Sequence, residues 1–110
     1  MGKISQDFYK NPDKYLFKLE NKITKYHKSL DKSLLKKAYY FSFNRHLFQL
    51  RDSGDPYAYH PYEVAKILAE LKFDITSIAT ALLHDTVEDG VATNCEMEKS
   101  FGKEISNLVQ

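Results

Sequence analysis

A chain of 110 residues at 12.8 kDa has room for one domain and one core, with little to spare. It is 43% hydrophobic and 28% charged, a globular balance that excludes disordered and collagen-like classes. Lys and Arg match Asp and Glu at 16 to 15, yet residues 1–51 carry 12 basic against 4 acidic side chains and residues 52–110 carry 4 against 11. Such a split suggests an anionic ligand beside a metal or general-base site.

No apolar run approaches the roughly 20 residues needed to cross a bilayer, and Met1 to Asp7 lacks the apolar stretch of a secretory leader. Gln6 stands where myristoylation of Gly2 would call for serine or threonine. Cys95 is the single cysteine and cannot close an internal disulfide. The expectation is a cytoplasmic protein without a membrane partner.

Residues 1–30 read as a Lys-rich N-terminal helix leading into the domain. Asn11-Pro12 supplies a cap and a proline at the first helical position, after which Tyr15, Leu16, Leu19, Ile23 and Tyr26 keep helical spacing. Lys10, Lys14, Lys18, Lys22, Lys25 and Lys28 recur at three and four residues, as the solvated face of a helix does. With Asp31 or Ser33 as cap, a long helix follows whose inner stripe is Leu34, Leu35, Ala38, Tyr39, Phe41, Ser42, His46, Leu47 and Leu50. Ser53-Gly54-Asp55-Pro56 stops it. Pro61 opens a helix with an apolar face of Val64, Ala65, Leu68 and Leu71, and Asp74 caps the next, Ile75 to about Glu88. Thr93 and Glu96 have capping-box spacing at the start of a short helix that Gly102 closes, before Ile105, Leu108 and Val109 begin a further amphipathic turn. The expected fold is all-α, with five or six helices.

The segment His84-Asp85-Thr86-Val87-Glu88-Asp89 concentrates the chemistry. Glu88 follows His84 by four and Asp89 follows Asp85 by four, so the pairs lie on adjoining strips of one helix. Three carboxylates and an imidazole crowded together are costly without water or a cation between them. A divalent metal held by His84 and Asp85, with the other acids handling a bound water, relieves that cost. His60 comes in at the start of the preceding helix, which would pack antiparallel to the first. The plainer alternatives are a capping histidine for His60 and a buried ion pair for His84-Asp85.

This pattern, His60 with His84-Asp85, resembles that of the HD metal-dependent phosphohydrolases. The stretch from about Lys37 to Val109 narrows the likeness to the hydrolase domain of the RelA/SpoT family. It includes His46, Gln49 to Tyr57, His60-Pro61, Ala81 to Asp89 and Phe101-Gly102-Lys103. The resemblance implies a single HD-domain helical bundle over 1–110, incomplete at the C-terminus. It also implies manganese-dependent (Mn2+) removal of the 3′-diphosphate from guanosine tetra- or pentaphosphate, giving GDP or GTP and pyrophosphate. His60, His84 and Asp85 look like metal ligands, Glu88 and Asp89 like the pair that positions and deprotonates water, Arg51 like the residue packed on guanine, and Ser53 its neighbour in the nucleotide pocket.

Three departures from the family pattern stand out. Arg45 and Phe48 flank His46 where small residues are usual, and Asp52 takes a place that is often basic. The aspartate expected as a fourth ligand belongs to a later motif that these 110 residues do not contain. Weakened metal binding is therefore expected, along with an uncovered apolar face around Leu82, Ile105, Leu108 and Val109 that could join copies of the chain or take a complementary chain. A rival reading is a non-catalytic remnant or split-enzyme half that binds the alarmone or such a chain. Nucleic-acid binding by the lysines of residues 10–37 is not expected, since no recognised binding pattern accompanies them.

Overall fold

The computed structural model describes residues 3–47 and 58–109, with side chains from residue 6 onward. The described residues contain six helices and no strand: α1 (Lys3–Lys10), α2 (Pro12–Thr24), α3 (Lys32–Arg45), α4 (Tyr59–Glu70), α5 (Ile75–Glu88) and α6 (Asn94–Val109). Helix starts are fixed by local chemistry. Asp31 accepts from the Leu34 amide at 3.0 Å and Asp74 from the Ser77 amide at 3.2 Å, each satisfying an amide that the first helical turn cannot. Thr93 and Glu96 close a reciprocal capping box, with Glu96 N–H donating to Thr93 Oγ1 and Thr93 N–H to Glu96 Oε1. Within α6, Gly102 adopts φ 87° and ψ 169°, a conformation open essentially to glycine alone, and kinks the helix there.

α5 is the centre of the bundle and packs against α3, α4 and α6. Its inner stripe, Ile78, Ala79, Leu82, Leu83 and Thr86, is buried. The expected uncovered face is mostly filled: Leu82, Ile105 and Val109 are all buried because the segment beyond the Gly102 kink folds back onto the bundle. Leu108 alone of that set is exposed.

Helix α4 corrects the sequence reading. Of the expected inner face, Ala65 is buried and Leu68 packs on the core, but Leu71, at the C-cap, is 64% exposed, while Pro61, Tyr62 and Ala69 are buried instead. The cause is α1, which forms its own helix and sends Phe8 into the seam. Phe8 is 1% exposed and its ring meets Tyr15, Tyr39, Phe43, Tyr59 and Tyr62 at centroid distances of 5.2 to 6.1 Å. Ring contacts at these spacings, mostly edge to face, add to the area they bury and draw the aromatic side of α4 inward.

Candidate metal centre

The last turn of α5 carries Asp85 and Glu88, and Asp89 caps it. Backbone carbonyls leave partial negative charge at a helix C-terminus, so acids there are disfavoured and a cation is favoured. No basic side chain lies in that turn. Thr86, fully buried, pins the turn: its hydroxyl donates to Leu83 O at 2.6 Å, while its carbonyl accepts from Val91 N and Ala92 N at 2.9 Å each. With Leu82, Leu83 and Thr86 held inside, His84, Asp85 and Glu88 emerge on the outer side of the turn.

Asp85 lies between two imidazoles. Its Oδ1 is 3.2 Å from His84 Nδ1 and its Oδ2 is 3.9 Å from His60 Nε2, which α4 brings in from its first turn. Glu88 Oε2 is 3.5 Å from the same His84 nitrogen. His84, Asp85 and Glu88 offer ligand atoms all within 4.8 Å of one another. Ligand bonds of roughly 2.0–2.2 Å put neighbouring donors about 3 to 4 Å apart, so this set fits one divalent ion after a small contraction. Mixed imidazole and carboxylate donors suit manganese, iron or zinc better than calcium.

The expected pair of water-handling acids is divided. Glu88 stands with the ligand atoms, whereas Asp89 turns toward α3, where its Oδ2 is 3.6 Å from His46 Nε2. His46 is fully buried, and its Nδ1 lies 3.1 Å from Ser42 O. A carbonyl can only accept, so Nδ1 is the donor in this contact, and the ring is held with its Nε2 edge toward the end of α5. Sequence reading placed His46 in the apolar stripe and missed this role. The signal was its position beside polar Ser42 on an otherwise hydrophobic face.

Arg45, one of the departures from the family pattern, is a clasp. Its guanidinium donates to Val91 O at 2.9 Å and to Glu96 Oε2 at 2.5 Å, and lies 4.6 Å over the Phe41 ring. The Arg45 hydrogen bond, helped by Thr93, holds the Glu96 carboxyl below its ordinary range. One side chain thus ties the end of α3 to the turn after α5 and to the start of α6. Arg51 and Ser53, expected in the nucleotide pocket, lie outside the described residues, as do Phe48 and Asp52.

A family model described as HD domain matches residues 38–110. The chain is 52% identical over 87 residues to a GTP pyrophosphokinase of Myxococcus xanthus, covering 79% of this chain and 12% of that protein. Its match to the GTP pyrophosphokinase rsh of Brucella melitensis is 45% over 94 residues, covering 86% of this chain and 12% of that one. To the bifunctional (p)ppGpp synthase/hydrolase SpoT of Escherichia coli it is 42% over 97 residues, covering 87% and 14%.

The chain is an HD domain of the RelA/SpoT family. It spans about one-eighth of the length of these relatives. The region matched by the HD-domain model takes in His60, His84 and all the acids of the candidate centre. No helix among the described residues is long and apolar enough to cross a membrane.

Proposed function

We propose that this HD domain hydrolyses the 3′-diphosphate of guanosine tetra- or pentaphosphate, releasing pyrophosphate and leaving GDP or GTP. The observation that supports it most is Asp85 set between His84 of its own helix and His60 of the next. Those three side chains would hold the divalent ion, with His60 drawing in across Asp85 to join the group that His84, Asp85 and Glu88 already form, and manganese is the ion we infer. Bound there, such an ion makes water nucleophilic near neutral pH and offsets charge on the diphosphate. Glu88, beside the His84 nitrogen, would take the proton of the attacking water, and Asp89, set apart toward His46, would orient that water from the α3 side. Arg51 and Ser53 would seat the guanine nucleoside, the guanidinium giving both a stacking plane and a phosphate donor. A nucleotide substrate of this kind puts the activity in the cytoplasm.

The test is pyrophosphate release from guanosine tetraphosphate by the chain with manganese, compared with Glu88→Gln. Release by the parent chain and its loss in the variant is the expected result. Tetraphosphate binding without turnover in the parent would replace this reading with that of a non-catalytic half. In that case, adding a polypeptide that supplies the fourth ligand should restore turnover.

A further inference from the structure

The metal centre occupies the seam between α4 and α5. On the seam between α4 and α2 the charge is reversed. A cavity of about 440 Å³ opens there, lined by Lys18, Lys22 and Lys25 from α2 and its C-cap, by Lys66 from α4, and by the rings of Tyr59 and Tyr62. No carboxylate lines it. A second hollow of about 310 Å³ shares Lys22 and Lys25 and adds Lys72. Glu70 lines this second hollow and lies 3.5 Å from Lys22. Among the described residues, no carboxylate stands within ion-pair distance of Lys18, Lys25 or Lys66.

We propose that this seam binds a short polyphosphate chain, inorganic or carried by a nucleotide, at a site separate from the metal centre. A solvated lysine stripe on one helix needs no ligand, but here a second helix turns its own lysine into the same concavity. The floor is aromatic, with Tyr15 and Tyr62 buried there. Low-dielectric walls around charges of one sign focus their field and raise the local concentration of the opposite ion. Ammonium groups suit phosphate as mobile point charges. The size of the seam separates a short chain from a polymer. Lys18 to Lys25 spans two helical turns, about 10 Å, and the cations gather in one hollow. A nucleic-acid tract typically uses roughly 6–10 phosphate contacts along an extended stripe. The volume falls within the range of roughly 300–1,000 Å³ usual for small-ligand sites. Nothing in this inference depends on the hydrolase reading.

The experiment is calorimetric titration at low salt with a chelator present, so that no metal recruits phosphate. The probes are inorganic tripolyphosphate, ATP, adenosine and a single-stranded oligonucleotide. Tripolyphosphate and ATP should bind and adenosine should not. Equal affinities would mean that the phosphate chain suffices, and tighter ATP binding would add a nucleoside seated on Tyr59. The double variant Lys18→Gln/Lys66→Gln should bind about tenfold more weakly or worse, the loss of at least one charge-assisted contact. Lys36→Gln/Lys99→Gln, with the same net charge and both positions exposed elsewhere, should bind like the parent. Asp85→Asn should also leave binding unchanged. The proposal is overturned by absence of binding in the parent, by equal weakening in both lysine pairs, by adenosine binding as well as ATP, or by the oligonucleotide binding more tightly than tripolyphosphate.

Discussion

Asp85→Asn is the sharpest test of the candidate centre, because one carboxylate faces both imidazoles. The substitution keeps the shape of the side chain and removes its charge, taking away one ligand and the link between His60 and His84. Losing a partner outside the first shell costs metal sites about 10–100-fold in affinity, so a direct ligand should cost at least about 100-fold. At a manganese concentration of about 100 times the parent dissociation constant, binding stabilises the fold by about 2.7 kcal/mol. The variant at that concentration sits near its own dissociation constant and gains about 0.4 kcal/mol. At about 4 °C per kcal/mol for a domain of this size, the parent melts about 11 °C higher with metal and the variant about 2 °C. Without metal the variant should melt no lower than the parent, since it relieves one of three carboxylates at the negative end of α5. Thermal melts followed by far-ultraviolet circular dichroism over a manganese series decide the matter. A variant that kept the full metal-dependent rise would refute the assignment of Asp85.

His46→Leu removes the imidazole between Ser42 and Asp89 without touching the ligand cluster. Manganese affinity should be unchanged while pyrophosphate release falls about 10–100-fold, as for other outer partners of a metal site; parallel loss of both would contradict the separation of Asp89 from the ligands. Gly102→Ala adds a methyl that meets nothing within 4 Å, so its cost is backbone strain alone, about 1–3 kcal/mol in chemical denaturation. Asp7 is held down to about 2 from an ordinary 3.8 by hydrogen bonds from Lys14 first, then Tyr15 and Asn11. Its folded value is the lower one, so its contribution is present above about pH 4 and fades as pH falls through about 2. The difference in denaturation midpoint between the parent and Asp7→Asn should shrink over that window.

What could be read from the sequence was whatever depends on near neighbours along the chain. Asp31, Asp74 and the Thr93–Glu96 box cap helices where expected, because a capping bond reaches only two or three residues. Gly102 was legible for the same reason. The inner face of α4 was not. Leu71 fits the helical period, but the contacts of Phe8, from a separate α1, with Tyr59 and Tyr62 shift the inner face toward those rings, keeping Ala65 inside and leaving Leu71 out. At the candidate centre, the spacing of His84, Asp85 and Glu88 was enough to place them together. The approach of His46 to Asp89 depends on the packing of α3 on α5, which no local pattern encodes.

The rings around Phe8 also give the molecule a built-in optical reporter. The chain contains no tryptophan, so its near-ultraviolet signal comes chiefly from tyrosines, and Tyr15, Tyr39, Tyr59 and Tyr62 all touch one phenylalanine near the N-terminus. Tyr59 immediately precedes His60. Trimming the first ten residues would therefore remove the hub of the ring cluster and loosen the turn that presents an imidazole to Asp85. Near-ultraviolet dichroism and metal uptake should then decline together, linking an N-terminal helix that holds none of the candidate ligands to the chemistry at the far end of α5.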